Sequence, residues 1–79
     1  MKKIFWCDGA KIRATQKGTE YCIFYVRELD ENGEPSLEQA QYTAFTANVV
    51  EQVRKLTFPC EIAFDMRIRD AIIDGIEEV

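Results

Sequence analysis

Tyr21, Tyr25 and Phe45 fall at alternate positions of segments that read as strands, and Lys11, Arg13 and Arg27 share that spacing. Lys17 lies in the turn between the first two such segments, and Gln41 and Thr43 precede Phe45 in the third. Flat rings and cations in this arrangement do recognition chemistry: rings stack on planar groups, and cations track phosphates. Amides and hydroxyls add hydrogen bonds. Bond-making chemistry finds no such set. The 79 residues include no histidine, so the commonest general base and orienting partner of a nucleophile are missing. Carboxylates are plentiful but scattered over positions expected to face solvent. Cys7, Cys22 and Cys60 have apolar or acidic neighbours and no activating cation. Their odd number and unpaired spacing argue against a disulfide framework and against a zinc site. The four glycines are isolated, so no phosphate loop is formed. The expectation is a protein that is not an enzyme, with no catalytic residue, cofactor, metal or small-molecule substrate, and with three reduced, buried thiols.

The distribution of charge matters more than its total of −4. Residues 1–27 hold Lys2, Lys3, Lys11, Arg13, Lys17 and Arg27 against Asp8 and Glu20. Residues 28–38 hold five carboxylates and no cation, residues 39–69 nearly balance, and Asp70, Asp74, Glu77 and Glu78 make the end acidic. A basic face is therefore compatible with an acidic protein. Met1 to Cys7 starts like a secretory signal, but Asp8 and Gly9 interrupt it early. No stretch approaches the roughly 20 apolar residues of a membrane span. The expected location is the cytoplasm of a bacterial or phage-infected cell, away from membranes.

One domain of 79 residues must position these groups. Ile4 to Gln16 reads as the first strand, with Ala10, Ile12 and Ala14 facing in and Lys11, Arg13 and Thr15 facing out. Gly9 marks a bulge or bend. Tyr21 to Leu29 is the second strand. Its Cys22, Phe24 and Val26 are expected inward, leaving Tyr21, Ile23, Tyr25 and Arg27 outside. Asn32-Gly33 centres a polar hairpin tip over 30–36. Gln39 to Phe45 is the third strand, with Ala40, Tyr42 and Ala44 inward. Trp6 could be core or surface. Asn48 and Glu51 match a capping box, and Val49, Val50, Val53 and Leu56 form one apolar helical stripe. Cys60 to Arg69 alternates again, with Cys60, Ile62, Phe64, Met66 and Ile68 inward. A bend near Asp70 leads to a last strand, Ala71 to Val79, with Gly75 as a possible kink. The order β-β-β-α-β-β predicts a mostly β fold: a five-stranded Greek-key barrel of the oligonucleotide-binding type, its one short helix between strands three and four.

The segment Gln16-Lys17-Gly18-Thr19-Glu20-Tyr21, leading into a strand of aromatics, resembles the first hairpin of small phage and mobile-element single-stranded DNA-binding proteins. The run Cys60 to Arg69, followed by Ile73-Asp74-Gly75-Ile76, is similar to the closing strands of such proteins. The resemblance implies a homodimer formed by strand addition and cooperative coating of single strands during DNA replication. The sequence departs from the filamentous-phage members in its acidity and in its well-marked helix. On the residues themselves, the expected partner is single-stranded DNA, or RNA, held by Lys11, Arg13, Lys17, Tyr21, Tyr25, Arg27, Gln41 and Phe45. The rival expectation is a small acidic protein-binding module, an inhibitor or recruiter that mimics the charge of DNA through residues 28–38 and the acidic end.

Overall fold

The computed structural model describes residues 2–67 and 72–79. Five strands, β1 (Lys2–Ala14), β2 (Glu20–Glu28), β3 (Ala40–Ala44), β4 (Cys60–Arg67) and β5 (Ile72–Glu78), surround one core, with helix α1 (Ala47–Arg54) between β3 and β4. They close into a barrel in the order β1-β2-β3-β5-β4. β1 is long enough to pair twice: Phe5 to Ala14 lies against β2, and Lys2 to Cys7 lies against β4. The seam between β3 and β5 is parallel, through Thr43 and Ile72. This is the oligonucleotide-binding type of barrel that the element order predicts. Among the described residues no helix is long and apolar enough to cross a membrane.

The alternation of β2 holds throughout. Cys22, Phe24 and Val26 are buried, while Tyr21, Ile23, Tyr25 and Arg27 stay half-exposed on the outside. Phe5, Phe64, Ile62 and Ile73 join the inner set, and the Phe24 and Phe64 rings meet edge to face at 4.9 Å. Val49, Val50 and Val53 bring α1 onto this core, and Leu56 packs against it. Tyr42 is half-buried and packs against the core, with its ring 5.4 Å from that of Phe5.

Gly9 does sit at a bulge. The β1–β2 register skips between Cys7 and Gly9, so Asp8 is the extra residue. A bulge reverses the inside–outside alternation beyond it. Phe5 and Cys7 therefore point in before it, and Ala10 and Ile12 pack inward after it. By the same parity Trp6 belongs to the outer surface.

Four expectations need correction. Ala14 and Ala40 are exposed: each stands at a strand terminus, the last residue of β1 and the first of β3. Asn48 does not cap α1. The helix starts at Ala47, with Thr46 extended and giving no side-chain bond; the Thr46 carbonyl accepts from Val49 and Val50 N–H instead. Glu51 is drawn to Arg54 at 2.7 Å, so the carboxylate needed for a capping box is engaged elsewhere. Cys60 is half-buried, not enclosed. The expected inward set of β4 is otherwise met by Ile62 and Phe64. The Met66 side chain and Ile68, Arg69, Asp70 and Ala71 lie outside the described residues.

Cys7 and Cys22 are free thiols enclosed in the core. Burial pushes the Cys7 thiol up to about 12 and the Cys22 thiol up to about 11, from an ordinary 9.0. A raised acid pKa means that the folded chain keeps protons the unfolded chain loses. Stability from these groups is therefore complete below about pH 9 and falls as pH rises toward 11–12. Each thiol contributes a slope of about 1.4 kcal/mol per pH unit within that window. Urea midpoints measured from pH 8.5 to 11 should fall steeply in the wild type, and less steeply in Cys22→Ala.

Candidate nucleic-acid interface

Strand registry turns the outer faces of β1, β2 and β3 into a grid. Arg13 lies opposite Tyr21, and Cys22 opposite Ala44 carries the same row on to Phe45. Lys11, Ile23 and Thr43 form the next row, and Gly9, Tyr25 and Gln41 the next. Trp6 faces Arg27 across the β1–β2 pair beyond the bulge.

The rings are arranged as pairs and platforms. Tyr21 and Phe45 have centroids 5.6 Å apart and planes inclined by 33°, a tilted contact between one half-exposed and one exposed ring. Phe45 stays 54% exposed although it is one of the largest apolar side chains of the chain. The Lys11 ammonium lies 5.9 Å from the centre of the Tyr25 ring. Arg13 and Lys17 are exposed. Lys17 rides on a tight turn in which Gly18 N–H donates to the Thr15 carbonyl, with Gly18 at φ +86° where a side chain would be strained.

Arg27 is engaged differently. Its Nε donates to Asp8 Oδ2 at 2.7 Å, and its Nη1 donates to the carbonyls of Ser36 and Leu37. Asp8 also accepts from Trp6 Nε1 at 3.0 Å and from Gln39 Nε2 at 2.8 Å. The bulge residue thus ties β1, β2 and the β2–β3 loop together, and Arg27 positions that loop. The Gln39 bond above all, with Arg27 and Trp6, holds the Asp8 carboxyl below the usual carboxylate range. Stability from this group is present above the ordinary carboxylate pKa and is lost as pH falls through the lowered value. Asp8→Ala is expected to cost about 1 kcal/mol, less than a fully buried charged hydrogen bond because water still reaches the carboxylate. Amide exchange should rise at residues 36–39, and an unchanged exchange pattern would remove the tether from the account.

Charge separates along β2. The cations at Arg13 and Lys17 lie near its start, and Glu28 with the carboxylates of residues 30–38 lies at its far end. At about 3.3 Å per residue the two ends are over 20 Å apart, more than twice the roughly 8 Å screening length in physiological salt. The acidic loop therefore does not cancel the cationic end. Glu28 pairs with Lys3 at 2.7 Å, and Glu20 pairs with Arg54 at 2.6 Å. Among the described residues Lys11, Arg13 and Lys17 enter no ion pair.

Of the eight predicted contact residues, Lys11, Arg13, Tyr21, Tyr25, Gln41 and Phe45 share the outer grid, and Lys17 borders it on the β1–β2 turn. Arg27 shares the face but is bound into the loop tether. Sequence reasoning left Trp6 unassigned. Placing the bulge at Asp8 and counting back through it would have put Trp6 on this face. Among the described residues no three His, Cys, Asp or Glu side chains gather as a metal site. No protein-family model and no curated protein matches the sequence.

Proposed function

We propose that the protein binds single-stranded nucleic acid, DNA in first place, across the outer face of β1, β2 and β3, without catalysis. The observation that carries this reading is the coincidence, on one sheet face, of exposed ring surface with three cations outside any ion pair among the described residues. Stacking on aromatics is tolerant of sequence, and cations at the edges track the backbone. Bases stack on Tyr25 and on the Tyr21–Phe45 pair, and phosphates run past Lys11, Arg13 and Lys17. The test is titration with a mixed-sequence single strand at low salt, followed by tryptophan emission. Saturable quenching that reverses as salt is raised supports the reading, with a log–log salt slope of about −2, from roughly 0.7 per phosphate neutralised by three cations. No binding at high micromolar concentration removes it.

A second reading has its own observation. Leu37 is 97% exposed in a loop whose neighbours are Asp30, Glu31, Glu34 and Glu38. An exposed leucine among carboxylates suits a basic protein partner with an apolar recess, so protein binding through this loop is the alternative if the titration fails.

A further inference from the structure

A cavity of about 210 Å³ opens beside Phe45, between the β1–β2 turn and the start of α1. Phe45 forms one wall, Val50 and Ala47 contribute apolar surface, Thr19 closes the turn side, and Glu20 and Glu51 supply carboxylates. Its volume lies below the about 300–1,000 Å³ of sites for drug-sized ligands, so it suits one flat ring and not a whole nucleotide. The two carboxylates meet on one cation: Arg54 donates to Glu20 Oε2 at 2.6 Å and to Glu51 Oε1 at 2.7 Å. Arg54 fixes both acids in place and reduces their combined charge to −1, which limits repulsion of a passing phosphate. The cavity borders Phe45, whose ring already meets that of Tyr21, so a chain crossing the outer face reaches it without leaving the stacking platform.

On that geometry, and resting on the nucleic-acid reading above, we propose that this cavity takes a single nucleobase bearing an exocyclic amino group, cytosine before the others. A carboxylate accepts from the N4 amine of cytosine. Thymine and uracil offer an O4 acceptor at the same place and meet a carboxylate oxygen with like polarity, which selects against them. The ring stacks on Phe45 and covers Val50. Cytosine is favoured over adenine because its single ring fits the small volume.

The experiment compares oligo-dC with oligo-dT of equal length at low salt, by fluorescence titration of the wild type, Glu20→Gln, Glu51→Gln and Ala47→Leu. The wild type should bind oligo-dC roughly tenfold more tightly. A glutamine amide donates as well as accepts, so either glutamine variant should lose the preference while keeping affinity for oligo-dT. Ala47→Leu fills the cavity without touching the ion pairs and should also equalise the two strands. Equal binding of both strands by the wild type would overturn the inference and leave the nucleic-acid reading standing. A preference that survives in Ala47→Leu and in both glutamine variants would overturn it too, because the selection would then arise elsewhere. Failure of both strands to bind would bring down the parent reading and the inference together.

Discussion

Tyr21→Ala combined with Phe45→Ala is expected to weaken single-strand binding more than any other change on the surface. A base stacked on an aromatic ring is worth about 1–3 kcal/mol, so one lost stacking position costs about 5- to 150-fold in affinity. The two rings form one platform, and the double variant should fall short of the product of the single ones, since removing either disturbs the other. The fold should tolerate the change: Phe45 is 54% exposed, and neither ring belongs to the buried core. Loss of affinity with an unchanged circular dichroism spectrum and urea midpoint is the expected result. Lys11→Gln gives a different signature, a salt slope reduced by about 0.7 and a loss spread evenly over sequences. If the double variant binds as the wild type does, the strand does not run over this platform.

Phe24→Ala is expected to have the largest effect on stability. Phe24 is fully buried at the centre of β2 and meets the Phe64 ring edge to face at 4.9 Å. Truncating a buried phenylalanine costs about 3–5 kcal/mol, through lost burial and the cavity left behind. A chain of 79 residues has roughly 4–12 kcal/mol to lose, at about 0.05–0.15 kcal/mol per residue. The variant should therefore lose between about a quarter and all of its stability, read as a fall of at least a quarter in the urea midpoint or as unfolding below physiological temperature. Phe24→Leu keeps most of the volume and should retain a cooperative transition. Two transitions of equal midpoint for wild type and Phe24→Ala would mean that the ring is not in the core.

Most of the barrel was legible because its strands alternate strictly. Cys22, Phe24 and Val26 are purely apolar on one side of β2, and no other face could be buried without enclosing Arg27. The apolar stripe of α1 was equally plain, but its first residue was not. Asn48 and Glu51 have the spacing of a capping box, yet packing of Val49, Val50 and Val53 fixes where the helix must begin, and a backbone carbonyl suffices to start it. Local motifs lose to the core when the two disagree. At the candidate site, strand parity brought the rings and cations together. It could not foresee the ties that join distant parts of the chain: Arg27 to the Leu37 carbonyl, ten residues on, or Glu20 to Arg54, 34 residues on. Such bonds depend on how loops return to the barrel, which periodicity does not encode. They decide which charges remain for a ligand and which are consumed in holding the protein's own shape.

Asp8 gives the first strand two phases. Its two halves run in opposite step, spliced at one carboxylate, and that same residue gathers the donors of Trp6, Arg27 and Gln39. Deleting Asp8 would let Cys7 opposite Val26 run straight on to Gly9 opposite Tyr25, keeping Lys11 and Arg13 outside and Ala10 and Ile12 inside, but it would remove the acceptor on which those donors meet. A one-residue change in the turn at 15–19, by contrast, alters only a connection. The extra residue of the bulge thus serves as a tie and not as a spacer: the face that carries Lys11, Arg13 and Tyr25 would keep its side without it, while the loop ahead of β3 would lose its bond to β1 through Gln39.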